Sequence, residues 1–167
     1  MAKHPDRTMW IGVISDTHGV LNPRVLDIFD GVDYILHCGD IGHPSIVDDL
    51  SQVAPVTGVL GTGDKVEDYP FEKTLYRRWW EIGVYISHRI GEPQDLKRGV
   101  AKDIETHDPQ VVLFGHTHES FNNRIDDRLF FNPGPAGRRK MKFPRSVGIL
   151  EIEGQSVRGE IVPITTR

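Results

Sequence analysis

The sequence predicts an α/β fold whose second half turns antiparallel, and three observations predict it. The first 60 residues alternate short β-branched apolar runs with amphipathic stretches, the rhythm of parallel strands joined by right-handed crossovers. From residue 73 onward, strand-like runs crowd together with little but turn residues between them. A length of 167 residues with 38% hydrophobic content suits one domain with a sizeable core and no staples.

The elements follow in order. Residues 1–8 are polar and are expected to form a flexible tail, leaving 9–167 as the single domain. Residues 10–14, WIGVI, read as a buried strand. Asn22 suits an N-cap and Pro23 the first helical position, ahead of Val25, Leu26, Ile28 and Phe29; Gly31 stops the helix. Residues 34–37 form a second strand, 44–52 a helix with Ile46, Val47 and Leu50 on one face, and 56–60 a third strand. Residues 73–80 and 82–87 read as a hairpin. Residues 94–107 read as a helix with Leu96, Val100, Ala101 and Ile104 inward, and 111–114 as a buried strand. Short strands follow at 120–125, 128–131, 147–153 and 157–164, with turns at Asp126-Asp127 and Glu153-Gly154.

Composition excludes several roles. Net charge is −4 with a pI near 6.0, so no global field draws nucleic acid or an anionic membrane. The one basic cluster, Arg138, Arg139, Lys140, Lys142 and Arg145, is local: a solvated loop, or a patch for an anionic substrate. Cys38 is the only cysteine, so no disulfide forms within the chain, which suits a reducing, cytoplasmic setting. The N-terminus lacks the apolar core of a signal peptide, and no run approaches the ~20 apolar residues of a membrane span.

The chemistry gathers where apolar runs stop. Ile14 leads into Ser15-Asp16-Thr17-His18, Leu36 into His37-Cys38-Gly39-Asp40, and Leu60 into Gly61-Thr62-Gly63-Asp64. Ile86 leads into Ser87-His88, and Phe114 into Gly115-His116-Thr117-His118. In an open α/β sheet, ligands sit outside the carboxyl ends of strands. In extended chain, Asp-x-His and His-x-His point two donors to one side. Carboxylate oxygen and imidazole nitrogen suit first-row divalent cations, and no thiolate set demands zinc. A lone Asp-x-His or Gly-Asp is ordinary in loops. Six donors in order at strand ends exceed what one catalytic ion takes from protein, and two ions sharing a carboxylate would use them all. His37, just before its loop, reads as a histidine behind the site, and Cys38 as a packing residue.

These segments resemble the calcineurin-like metallophosphoesterases, in particular their small single-domain bacterial and archaeal branch. SDTHG (15–19), HCGDI (37–41), GTGD (61–64), SH (87–88), FGHTH (114–118) and NPGP (132–135) carry the resemblance, which spans residues 11 to about 152. It implies a four-layer α-β-β-α sandwich of two mixed sheets flanked by helices, with a dinuclear centre at the strand ends. One ion would be held by Asp16, His18 and His118 and the other by His88 and His116, with Asp40 bridging; Thr62 falls where the family places a metal-binding Asn. The implied cofactors are two divalent ions, manganese first, with iron, nickel or zinc as alternatives. The implied activity is hydrolysis of phosphate diesters or monoesters by in-line attack of water shared by ions ~3.5–4 Å apart. No catalytic residue is assigned beyond that water.

The chain departs from the pattern at three places. The hydroxyl of Thr62 is shorter in reach than an Asn amide by on the order of 1 Å and is a weak donor unless ionised. Gly63 stands where some branches carry a His that protonates the leaving group. Many relatives read His-Gly-His where this chain has His88-Arg89-Ile90, and Arg89 faces either substrate phosphate or solvent. The turn 132–135 is structural. Two function classes compete: a phosphoesterase acting on small phosphate esters, and a catalytically weakened protein-binding scaffold of the same fold, as in a eukaryotic trafficking subunit. Six good donors out of seven positions favour the enzyme. Trp79-Trp80 beside Arg77-Arg78 could stack bases, but such pairs more often pack an edge strand or a subunit contact, so nucleic acid is disfavoured and a homo-oligomer is left open.

Overall fold

The computed structural model describes residues 7–138 and 143–165. In chain order the elements are β1 (Thr8–Ile14), α1 (Arg24–Ile28), β2 (Tyr34–His37), α2 (Ser45–Ser51), β3 (Val56–Gly58), β4 (Thr74–Trp79) and β5 (Ile82–Ser87). There follow β6 (Gly91–Glu92), β7 (Asp95–Leu96), α3 (Arg98–His107), β8 (Val111–Leu113), β9 (Phe121–Ile125), β10 (Arg128–Asn132), β11 (Ser146–Glu153) and β12 (Ser156–Pro163). Two five-stranded sheets, ordered β12-β11-β1-β2-β3 and β4-β5-β8-β10-β9, lie face to face.

Side-chain alternation builds the layers. Ile11 and Val13 of β1 and Leu36 of β2 meet Val84 and Ile86 of β5, Leu113 of β8 and Phe131 of β10 in the core between the sheets. The alternate residues point outward: Ile14 and Ile35 pack under Val25 and Phe29 from α1 and its end, and Ile46 and Leu50 of α2. On the other flank Tyr85, Val112 and Phe130 pack under Val100 and Ile104 of α3. Covering both faces explains why the central strands read as continuous apolar runs. Each fully buried aliphatic contributes roughly 1.5–3 kcal/mol.

The antiparallel second half is corrected in part: the β4–β5, β9–β10 and β11–β12 pairs are antiparallel as expected, but the centre of the second sheet is not. β5, β8 and β10 are mutually parallel, because α3 crosses over between β5 and β8, and β9 occupies the outer edge before β10 returns beside β8. β11 and β12 join the first sheet instead, β11 pairing antiparallel with β1. The consequence is functional: β1, β2 and β3 of one sheet run parallel to one another, as do β5, β8 and β10 of the other, and these strands end in the loops that carry the chemistry.

Other expectations shift locally. The helix expected from residue 94 begins at Arg98, because the chain first folds back through the two-stranded β6–β7 hairpin, where Leu96 pairs with Gly91. Ala101 faces solvent rather than the core. Asn22 does cap α1, its Oδ1 accepting the Arg24 N–H at 2.9 Å. Asp126 and Asp127 both take positive φ in the expected hairpin turn. Of the expected tail, residues 1–6 lie outside the described residues, Arg7 pairs with Asp33 at 2.7 Å, and Thr8 opens β1. Residues 139–142 of the basic cluster also lie outside the described residues. Trp79 is 6% exposed and belongs to the core between the sheets, so it offers no face to a base. Among the described residues no helix is long and apolar enough to cross a membrane.

Candidate metal centre

The loops after β1 and β2 are zipped together by backbone bonds: Asp16 N–H to Gly39 O, His18 N–H to Asp40 O, and Gly19 N–H to Ile41 O, at 2.8–3.0 Å. The loop after β8 joins them through His116 N–H, which donates to Asp16 Oδ2 at 3.2 Å, and Gly115 N–H, which donates to His88 O. Donors from both sheets thereby form two sets. Asp16, His18 and His118 have donor atoms within 4.8 Å of one another, and so do Asp40, His88 and His116.

The period-two argument for pairing donors is corrected. Asp16, His18, Asp40, His116 and His118 all have left-handed backbone, with φ of 54°, 46°, 54°, 70° and 58°. Only nine non-glycine residues among the described ones do so. His-x-His accordingly divides between the sets instead of serving one. Such conformations cost on the order of 1–3 kcal/mol each and concentrate where the surrounding structure holds them for a purpose.

The two sets touch. Asp16 Oδ1 lies 3.3 Å from His118 Nε2, 3.7 Å from His18 Nε2 and 3.9 Å from His88 Nε2. Asp40 Oδ2 lies 3.1 Å from His88 Nε2 and 3.7 Å from His18 Nε2, so this carboxylate faces both sets. The imidazoles pair edge-on, His18 with His118 at 5.5 Å and His88 with His116 at 5.4 Å between ring centres.

Asp16 and His88 are aimed by groups behind them. The Ser15 hydroxyl donates to Asp16 Oδ2 at 2.7 Å, leaving Oδ1 toward the cluster. His88 Nδ1–H donates to the Cys38 carbonyl at 2.7 Å, which turns the Nε2 lone pair to the same place. Asp16 Oδ1 and His88 Nε2 are buried without a hydrogen-bond partner. Buried polar atoms are nearly always satisfied, so two orphans converging from opposite sheets are what a bound cation would complete. The donor chemistry, oxygen and imidazole nitrogen, fits first-row divalent ions.

Electrostatics agrees. Burial raises the Asp16 carboxyl, but His18, the Ser15 hydroxyl, His88 and His118 outweigh it and hold the group below its ordinary value. Asp40 is held further down, burial again being outweighed by His88 and the Gly63 N–H. Asp16 raises His18 against the opposing effect of burial, and at His88 burial is overcome by Asp40, Asp16 and the Cys38 carbonyl. His116 is lowered by burial, His88 and Arg89.

His37 is fully buried and is not a donor to the cluster. Gly39 N–H donates to its Nδ1, so Nε2 carries the proton toward the Thr17 hydroxyl at 3.0 Å, and Thr17 donates to Ile41 O. Burial holds its pKa down at about 4. Cys38 is buried in the core, its thiol pushed well up by burial. Asp64, read from sequence only as the end of a turn, accepts N–H bonds from Ile41, Gly42 and Gly61 and so fastens the Asp40 loop to the Thr62 loop. Sequence reasoning also missed Ser15 and the Cys38 carbonyl; the first was signalled by adjacency to Asp16, while a backbone carbonyl leaves no signal.

Thr62 and Arg89 are both exposed. Arg89 borders a cleft of about 290 Å³ together with Lys97, Glu92, Asp95 and His116, so the cleft opens directly from the second donor set. A larger cleft of about 520 Å³, lined by Gln110, Asp127 and Glu153, adjoins none of these donors.

Residues 9–155 match the calcineurin-like phosphoesterase superfamily domain. The chain is 34% identical over 165 residues to a probable metallophosphoesterase of Methanothermobacter thermautotrophicus, covering 92% of each chain. It is 29% identical over 175 residues to a phosphodiesterase of Methanocaldococcus jannaschii, covering 92% of this chain and 99% of that one. Its fold superposes on Vps29 of Chaetomium thermophilum with a TM-score of 0.77 at 19% identity, over 89% of this chain and 85% of that one.

Proposed function

The chain belongs to the calcineurin-like phosphoesterase superfamily, and we propose that it is a phosphodiesterase working with two divalent cations, manganese before iron, nickel or zinc. The observation that carries this reading is the pair of orphaned atoms, Asp16 Oδ1 and His88 Nε2, each within one of two adjoining three-donor sets. Six retained donors weigh against a scaffold that has lost catalysis. The single buried Cys38 suits the cytoplasm. Hydrolysis of bis-p-nitrophenyl phosphate with added Mn tests the proposal. Turnover that needs the metal and vanishes in Asp40→Ala supports it; turnover no higher than in that variant would sink it.

Bound there, two divalent cations supply an activated water and neutralise charge on the phosphoryl group. The protein's own part is positional. Asp40 faces both sets and would serve as the shared carboxylate. Asp16, tied on one oxygen by Ser15 and the His116 amide, is fixed in a single orientation. Arg89 and Lys97 in the cleft beside His116 supply positive charge to hold the non-bridging phosphate oxygens or the second ester arm. Thr62, exposed beside Gly61, would serve the second set directly with its weak hydroxyl donor or through a water, and either way would hold a second cation less tightly than an Asn amide would. With Gly63 in place of an acid, the leaving oxygen takes its proton from solvent, which favours small esters of acidic alcohols.

A further inference from the structure

Asn132 ends β10 and is fully buried. The turn it opens reads from sequence as purely structural, yet its amide grips the loop that delivers two donors. Nδ2 donates to Gly115 O at 3.2 Å and to Thr117 Oγ1 at 3.1 Å, the residues on either side of His116. Oδ1 accepts the Gly134 N–H at 2.9 Å. The Thr117 hydroxyl also accepts the Glu119 N–H and donates to Glu119 O, so its donor and both acceptor positions are filled. Asn132 and Thr117 together therefore clasp the segment in which His116 and His118 both adopt left-handed backbone.

The same stretch of chain then crosses to the other sheet. Ala136 N–H donates to Ser15 O at 3.0 Å and Gly137 N–H to Asp16 O at 3.1 Å. The Ser146 hydroxyl pins Pro133 O at 2.6 Å. One strap thus links the loop of His116 and His118 to the loop of Asp16 and His18. We propose that Asn132 is a positioning residue that sets the spacing between the two donor sets, so that two cations bind as a coupled pair. This rests on the two-cation reading above. An aspartate cannot replace it, since a carboxylate offers no N–H to Gly115 O or Thr117 Oγ1.

The test uses metal-free protein loaded with Mn(II), with ion count from elemental analysis and coupling from electron paramagnetic resonance. Wild type should take up two ions and show an exchange-coupled signal. Asn132→Asp should lose that signal in favour of isolated Mn(II), with affinity for the second ion down by ~10–100-fold. Ser146→Ala removes only the bond to Pro133 O and leaves in place both Asn132 contacts with the histidine loop and the Ala136 and Gly137 bonds to the Asp16 loop, so it should keep the coupled signal. Should Asn132→Asp fail to fold, Thr117→Val removes the hydroxyl acceptor from an exposed position and should weaken the coupling in the same direction. A folded Asn132→Asp with wild-type ion count and coupling, an equal loss in Ser146→Ala, or an unchanged Thr117→Val would overturn the assignment. Wild type that binds no pair would instead refute the two-cation reading itself.

Discussion

Gly61→Ala should damage the site through one atom. An alanine Cβ there would stand 2.0 Å from the Asp40 amide nitrogen, 2.1 Å from Asp40 Oδ1 and 2.7 Å from Asp40 Cα. Unstrained contacts lie near ~3.5 Å, so the clash requires a shift of more than about 1 Å. Gly61 itself cannot easily retreat, because its N–H is held by Asp64 Oδ2 at 2.8 Å. Asp40 must therefore move, and it is the carboxylate that faces both donor sets. Overpacking of this kind costs about 1–3 kcal/mol, and a 1 Å displacement of a reacting group costs about 100-fold in rate. Urea unfolding of the metal-free variant and its Mn-dependent turnover of bis-p-nitrophenyl phosphate should show losses of these sizes. Gly63→Ala is the control two residues away. Its Cβ meets nothing within 4 Å, so stability should stay within about 0.5 kcal/mol and turnover should persist. Wild-type behaviour from Gly61→Ala, or equal damage from both, would refute the reasoning.

Thr62→Asn should tighten the second cation, seen as a lower Mn concentration for half-maximal activity; equal affinity for both ions in wild type and variant would contradict a weakened position. Gly63→His enters open space beside the Asp40 loop and should speed hydrolysis of diesters with alkyl leaving groups more than of nitrophenyl esters, as a new acid does; a uniform effect on both would argue against that role. His37 gives a pH prediction. Its folded pKa of about 4 lies below the ordinary 6.5, so between these values the unfolded chain binds a proton that the folded protein excludes. Its contribution to stability is full above pH 6.5 and is lost as pH falls toward 4, by about 3 kcal/mol. Urea unfolding of metal-free wild type and His37→Asn at pH 7 and 4.5 isolates it; the same loss in both would show that His37 is not the cause.

The strand ends were legible because β-branched runs stop abruptly at Ile14, Leu36, Ile86 and Phe114, and burial on both faces makes such runs conspicuous. Donor types could be read there for the same reason, since a carboxylate or imidazole at the end of a buried strand has few structural uses. The β6–β7 hairpin was not legible. Leu96, Val100 and Ile104 fit a helical period, and two residues of strand are too short to break it. The sheet order of the second half depended on α3 as a crossover and on the return of β11 to β1, both tertiary choices. Left-handed backbone at Asp16 and His18 was hidden too, because their amides are held by loop-to-loop bonds to Gly39 O and Asp40 O, which local propensity does not encode. Asn132 reads as a turn residue because the partners of its side chain lie on another loop, 15–17 positions away.

Anomalous scattering from crystals of the Mn-loaded protein is the most direct test of the two-cation centre. Two peaks are expected, one among Asp16, His18 and His118 and one among Asp40, His88 and His116, with Asp40 between them and the second peak weaker. A single peak, or none at these donors under saturating Mn, would contradict it.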